Sequence, residues 1–138
     1  MDQVVIPESF WSVRYNGRRI PGHDADLSRG ANCQLFAYQV LARNGLKLPA
    51  FRSSDLWTDA AHTEPVTGLE PLDLLLFNRT HEAYGAHVAV YLGEDRALHL
   101  ARLAGLPEIW PLARFAAEPR YRCFIGAKRV RGGRRQPK

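Results

Sequence analysis

The sequence predicts an α+β domain in which one helix packs on an antiparallel sheet. Its 138 residues, 46% of them hydrophobic, suffice for one compact domain with a single core. Apolar residues recur at helical spacing in the first half of the chain, whereas short apolar or alternating runs between turn residues fill the second half. A helix followed by a meandering sheet is therefore the expected order.

The main helix is predicted over residues 32–44. Asn32 is a suitable N-cap, and Asn44 with Gly45 supplies a C-terminal stop. Between them the apolar positions recur at helical spacing: Leu35, Phe36, Val40 and Leu41. This prediction places Cys33 in the first turn of the helix.

The remaining elements follow from turn residues and from the change of period. Loops are expected at 16–31 and 63–71, a short second helix at 55–62, and strands at 72–77, 86–92, 96–102 and 121–130. The strands are short and separated by turn signals, which is typical of an antiparallel meander.

The formal charge of +5 is concentrated at the C-terminal end. Six basic residues and no acidic one lie between residue 128 and the end, and removing these six from the 19 basic residues leaves 13 against 14 acidic. We therefore predict a domain over 1–130 and a basic disordered tail over 131–138. The alternative role for the tail is an arm that binds an anionic polymer. A nearly neutral body does not indicate a nucleic-acid partner.

The sequence indicates neither export nor membrane insertion. Residues 1–7 have no basic segment followed by an apolar stretch, and no apolar run approaches the length of a membrane span. We expect a monomer that is cytoplasmic or exported by a dedicated route.

The cysteines and histidines do not predict a metal site. Cys33 and Cys123 lack zinc-site spacing, so each is expected to be a reduced thiol, with Cys123 a small core residue. His81 and His87 have no third ligand at metal-site spacing. We therefore predict no metal and no cofactor.

Cys33 is the candidate nucleophile. The positive end of a helix stabilises thiolate, which would lower the pKa of a cysteine in the first turn. A catalytic thiol also needs a base, and histidine suits this role near neutral pH. His87 opens one predicted strand and His99 lies in the next. On spacing alone, a packed cysteine and two structural histidines are the competing interpretation.

The turn between the two histidine strands decides whether these side chains can meet. A two-residue turn at Glu94 and Asp95 without irregularity would place His87 and His99 on opposite faces of the sheet. A shared face requires a bulge near Gly93 or a wider loop.

Six segments resemble the NlpC family of papain-like cysteine peptidases. The helix opening Gly-Ala-Asn-Cys-Gln-Leu at 30–35 is similar to the family's Asp-Cys-Ser-Gly, although Asn32, Gln34 and Leu35 replace Asp, Ser and Gly. The other similar segments are the helix exit 45–49, the Pro-Leu-Asp-Leu strand entrance at 71–74 with Leu72 in place of glycine, His-Val-Ala-Val-Tyr-Leu-Gly at 87–93, Ala-Leu-His at 97–99, and the closing strand 124–130.

The resemblance implies a papain-like NlpC-type domain in which the nucleophile helix packs on an antiparallel sheet. Carried over residue by residue, it makes Cys33 the nucleophile, His87 the base and His99 the residue that orients the base. The residues expected to contact substrate are Tyr15, Asn32, Gln34, Trp57 and Tyr84.

The same resemblance implies a bacterial cell-wall hydrolase. Its expected substrate is peptidoglycan or a muropeptide, cleaved at the amide bond between D-Glu and a diamino acid through a Cys33 thioester. Two alternatives stay open at this point. One is an acyltransferase or thioesterase on the same fold, and the other is a non-catalytic binding or assembly module.

Overall fold

The computed structural model of the protein describes residues 4–22 and 26–132. Three helices, α1 (Cys33–Arg43), α2 (Ser53–Thr58) and α3 (Leu112–Ala117), accompany six strands: β1 (Thr63–Val66), β2 (Leu74–Asn78), β3 (His87–Gly93), β4 (Arg96–Leu100), β5 (Pro107–Pro111) and β6 (Cys123–Val130). Short 3-10 turns occupy Glu8–Ser12 and Pro119–Tyr121. The predicted α+β class is confirmed.

All six strands form one antiparallel sheet in the order β1-β6-β2-β3-β4-β5. One side, here called the helix face, packs against α1 and is mainly aliphatic, with Val88, Val90, Leu98 and Leu100 in its core. The other side, here called the aromatic face, buries Phe77, Trp110, Phe115 and Tyr121. Each face therefore has its own hydrophobic cluster.

Helix α1 begins and ends where the sequence predicts. The Asn32 side chain accepts a hydrogen bond from the Leu35 backbone N–H at 2.8 Å, which satisfies one of the free donors at the helix start. Asn44 caps the C-terminus, and Gly45 follows it with a φ of +85°. These caps fix Cys33 as the first residue of the helix.

The segment after α1 differs from its prediction in two respects. The second helix spans Ser53–Thr58 rather than 55–62, because the Asp59 carboxylate accepts hydrogen bonds from the backbone N–H groups of His62 and Thr63 and so stabilises a turn. The loop expected at 63–71 instead opens with β1, which pairs with β6.

Strand β5 and helix α3 were missed by the sequence analysis. Residues 107–111 have proline at both ends and one acidic residue between, a composition that disfavours a strand, yet β5 lies at the sheet edge where missing donors are tolerated. Helix α3 has only six residues, too few to show a helical period. Strand β5 extends the sheet, and Trp110 of β5 and Phe115 of α3 join the cluster on the aromatic face.

The β3–β4 connection contains the bulge that the pairing of two histidines requires. Glu94 and Asp95 form a tight turn, both with positive φ. Gly93 pairs with Arg96, but Tyr91 pairs with Ala97, so Leu92 is one extra residue on β3. The register beyond the bulge puts residues 87 and 99 on the same face.

Part of the basic C-terminal region belongs to the folded body. Lys128 is buried and Arg129 forms an ion pair with Asp73 at 2.8 Å. Arg131 donates from its backbone to the carbonyl of His62. The rest of the tail predicted over 131–138, from residue 133 onward, lies outside the described residues. Among the helices of residues 4–22 and 26–132, none combines the length and apolar character that crossing a bilayer needs.

Candidate active site

Cys33 lies where the start of α1 meets the start of β3. Its side chain is half-buried, and the backbone N–H of Val88, the residue after His87, points to its Sγ. Burial raises the pKa of the Cys33 thiol, and the N–H groups of Val88 and Cys33 and the charge of Arg52 offset only part of this effect. The net pKa of Cys33 is therefore raised, although the amides of the helix start act in the expected direction and lower it. The resting side chain is a neutral thiol.

His87 and His99 form a direct pair on the aromatic face. Nε2 of His87 lies 2.8 Å from Nδ1 of His99, with the rings nearly perpendicular. Across the bulge-corrected register the two positions are diagonal neighbours, whose Cβ atoms are close enough for two imidazoles to meet. The bulge predicted near Gly93 is present, and the two histidines come together.

Aromatic rings surround the pair. The Tyr121 ring stacks on His87 with centroids 4.3 Å apart, and the rings of Trp110 and Phe115 lie 4.4 Å and 4.8 Å from His99. Burial lowers the pKa of His99 to about 3 and, with the neighbouring His99, holds the pKa of His87 well below its ordinary value. Both imidazoles are neutral at pH 7.

Neither imidazole is bonded to a carboxylate in the part of the chain that the structure describes. Glu108 pairs with His99 across β4 and β5, but its Oε1 accepts from Trp110 Nε1 at 2.8 Å. Nε2 of His99 is buried and finds no hydrogen-bond partner there. The neighbours of this imidazole are the rings of Trp110 and Phe115. The pair is thus oriented by rings rather than by an acid.

Three tyrosines lie within electrostatic reach of the thiol: Tyr15, Tyr38 and Tyr121. Burial raises the pKa of Tyr15, and it raises the pKa of Tyr121 to about 12; in both, a charged Cys33 would add to the rise. Tyr15 is held by a bridge to Ala31 and by its backbone N–H, which donates to Gly105. The phenols of Tyr15 and Tyr121 stay protonated at neutral pH and can donate hydrogen bonds.

The other predicted substrate residues lie in three different places. Asn32 is engaged in capping α1, while the buried Gln34 accepts a hydrogen bond from Arg52 Nε at 3.0 Å. Tyr84 is 82% exposed in the turn before His87.

Trp57 belongs to α2 and lies apart from Asn32, Gln34 and Tyr84, with its side chain against β6. Its ring packs against Gly126, where a Cβ would come within 2.5 Å of Cη2. Trp57 also lines a cavity of about 640 Å³ between the start of the β1–β2 loop and β6, and none of the lining residues is Cys33, His87 or His99.

Sequence reasoning missed four residues around the site. Trp110 and Phe115 lie where no element is predicted, and Tyr121 opens a predicted strand without any role assigned to its side chain. Arg52 had no motif. The single available signal was the clustering of aromatic residues between 110 and 124, which follows the histidine strands. Within residues 4–22 and 26–132, no three side chains of metal-ligand type come together.

Comparison with known proteins points to one family. The model of the NlpC/P60 family matches residues 14–107, a range that includes Cys33, His87 and His99. Among solved structures, the chain is similar to an NlpC/P60 family protein from Bacillus cereus ATCC 10987, with 24% identity and a TM-score of 0.56 over 73% of this chain. The match covers 32% of that protein, and at 24% identity it shows the fold alone. No curated protein matches the chain.

Proposed function

This chain belongs to the NlpC/P60 family, because the family model matches more than half of its residues. From that premise we propose that the protein is a cysteine hydrolase of peptidoglycan stem peptides. The family consists generally of cell-wall peptidases and amidases that act on peptidoglycan-type substrates. The bond we propose is the amide between D-Glu and a diamino acid, with Cys33 as nucleophile and His87 as base.

One observation carries the proposal. The Cys33 thiol meets the backbone of the residue after His87, while His87 is bonded to His99 on the same sheet face. A nucleophile, a base and a group that orients the base are the parts that covalent acyl transfer requires.

The hydrogen bond between the histidines supports a specific route for the proton. Since Nε2 of His87 is engaged with Nδ1 of His99, Nδ1 of His87 is the nitrogen left to accept the thiol proton. In this arrangement Nε2 of the resting His87 carries a proton and donates it to Nδ1 of His99. The proton of His99 is therefore on Nε2, which lies among the aromatic rings. Both partners start neutral, so proton transfer accompanies attack on the carbonyl instead of preceding it.

The helix start supplies the groups that stabilise the oxyanion. The backbone N–H groups of Cys33 and Gln34 both reach the thiol, and neither can have a partner within the helix. Attack forms a C–S bond, and His87 returns the proton to the nitrogen of the leaving amine as the C–N bond breaks. Water, losing its proton to His87, then cleaves the thioester and restores the thiol.

We test this function with the full chain, purified peptidoglycan and soluble muropeptides, with products identified by mass spectrometry. Cys33→Ala and His87→Ala are expected to reduce hydrolysis at least about 1,000-fold, because each removes a group the covalent route cannot replace. Cys123→Ala, which removes a thiol that donates to the Arg79 carbonyl, is the matched control and should retain activity.

Three results would contradict the proposal. Hydrolysis by Cys33→Ala at the wild-type rate would exclude the thioester route. Acyl adducts formed with an added amine, in place of free acid, would favour the acyltransferase. Binding of muropeptides without turnover by the wild type would favour the non-catalytic module.

A further inference from the structure

Residues 51 and 52 are attached to the nucleophile helix by two side-chain hydrogen bonds. Tyr38 Oη donates to the carbonyl of Phe51 at 3.1 Å, and Arg52 Nε donates to Oε1 of Gln34 at 3.0 Å. Gln34 follows Cys33 directly and is buried, so its amide cannot swing away. The Arg52 guanidinium is thus held beside the first turn of α1.

The next residue attaches the same segment to the strand that carries the base. Ser53 Oγ donates to the carbonyl of Ala83 at 2.7 Å and accepts from the N–H of Ala86 at 3.1 Å. Ala86 immediately precedes His87. Arg52 therefore lies between the start of the nucleophile helix and the start of β3, at a position fixed from both sides.

The guanidinium is exposed and has unused donors. Among the described residues only Nε has a side-chain hydrogen-bond partner, which orients the plane, and because the residue is exposed the N–H groups of the two terminal nitrogens remain available to a ligand. Throughout the described ranges, no carboxylate forms an ion pair with Arg52; Asp55 accepts from its backbone N–H instead. An oriented arginine without an acidic partner is suited to take a carboxylate from outside.

The charge of Arg52 reaches the reacting atoms. It lowers the pKa of the Cys33 thiol and those of Tyr15 and Tyr38, although burial outweighs it in all three. Arg102 acts on Tyr15 in the same sense. Two guanidinium groups thus act on this side of the site, and the carboxylate of Asp55 acts on Tyr38 in the opposite sense.

We propose that Arg52 binds a carboxylate that the substrate carries next to the scissile amide, and so determines specificity for acidic peptides over their amidated forms. This inference rests on the proposed hydrolase function. Its ligand is a carboxylate, and Gln34 acts as the residue that positions the guanidinium.

The test compares two substrates that differ in one group: a γ-D-glutamyl-diamino-acid peptide with a free α-carboxylate, and the same peptide with an α-carboxamide. We expect the wild type to favour the carboxylate about 10- to 100-fold in kcat/KM, as charge-assisted hydrogen bonds do. Arg52→Gln should bring this ratio to about 1, chiefly through KM. Arg52→Lys should retain part of this preference, because lysine keeps the positive charge but lacks the planar pair of N–H donors that binds a carboxylate through two hydrogen bonds.

Arg43→Gln is the matched control, since Arg43 lies at the far end of α1 over Phe10 and should leave the ratio as in the wild type. If Arg52→Gln slows both substrates equally and the ratio persists, Arg52 acts only on the thiol or the fold, and the inference is overturned.

A binding measurement separates this inference from the proposed function. Calorimetry with Cys33→Ala should show tighter binding of the carboxylate peptide, and Cys33→Ala/Arg52→Gln should lose that preference. Arg52-dependent binding without any hydrolysis by the wild type would sink the function and keep the inference. Hydrolysis by the wild type with no preference for the carboxylate peptide would keep the function and overturn the inference.

Discussion

The two faces of the sheet bury side chains of different chemistry. On the helix face, aliphatic residues of β3 and β4 pack against α1 in a core of branched side chains. On the aromatic face, the same strands present His87 and His99 to Phe115, Trp110 and Tyr121. Alternation along two strands is enough to separate a structural surface from a chemical one.

The difference shows what each face contributes to the site. The helix face fixes where Cys33 stands, because α1 is held by packing and by its caps. The aromatic face fixes the protonation of the histidines, because burial among rings disfavours the imidazolium. Position and proton affinity are therefore set by separate groups of residues.

Truncating one large side chain on each face gives the largest expected effects. Phe115→Ala should lower the free energy of unfolding by about 3–5 kcal/mol, and Leu98→Ala by about 2–5 kcal/mol, since both side chains are fully buried. Chemical denaturation measures both losses. Only Phe115→Ala should also raise the pKa of His99, observed by NMR titration. An equal rise in Leu98→Ala would break the distinction between the faces.

The pH dependence of stability should come from the aromatic face. The pKa of His99 is lowered to about 3 in the folded chain, so the unfolded chain binds more protons between that pH and about 6.5. Stability is then complete above about 6.5 and falls at lower pH by up to about 1.4 kcal/mol per unit.

Urea denaturation at pH 7 and pH 5 measures this loss. His99→Gln should flatten the dependence, whereas His62→Gln, at a side chain 51% exposed, should preserve it. Equal pH dependence in the wild type and His99→Gln would show that the loss has another source.

The smallest expected effect concerns the one carboxylate opposite His99. Glu108→Gln should change the free energy of unfolding by less than about 1 kcal/mol, because glutamine keeps an acceptor for Trp110 Nε1. The pKa of His99 should not move. A further fall of that pKa on NMR titration would mean that Glu108 supports the imidazolium and that the aromatic face is not purely apolar in its action.

The strongest local signals in the sequence predicted the corresponding elements well. A capped helix with regular apolar spacing is determined by its own residues, so α1 and the place of Cys33 could be predicted. Alternation likewise indicated the faces of β3 and β4. The need for a bulge also followed from counting residues, although its presence at Leu92 depends on the formed turn.

The remainder depended on contacts between distant segments. Leu72 adopts a φ of +78°, a backbone conformation typical of glycine, and is held there by burial of its side chain and by the surrounding turn. The pKa of Cys33 reversed its expected direction because burial outweighed the helix start. The hydrogen bond between Arg52 and Gln34 joins residues 18 positions apart and has no local signal.

The single extra residue at Leu92 also limits how the length of this chain can change. Each residue added to or removed from positions 92–95 shifts the pairing by one and turns the whole of β4 over, so that His99 would face α1 and Leu98 the aromatic rings. Changes of two residues would keep the faces but move His99 along the strand relative to His87. Loops elsewhere can lengthen at little cost. The twelve-residue interval between the histidines cannot change in length without separating them. Relatives that share this histidine pair are therefore expected to keep the interval while their other connections vary.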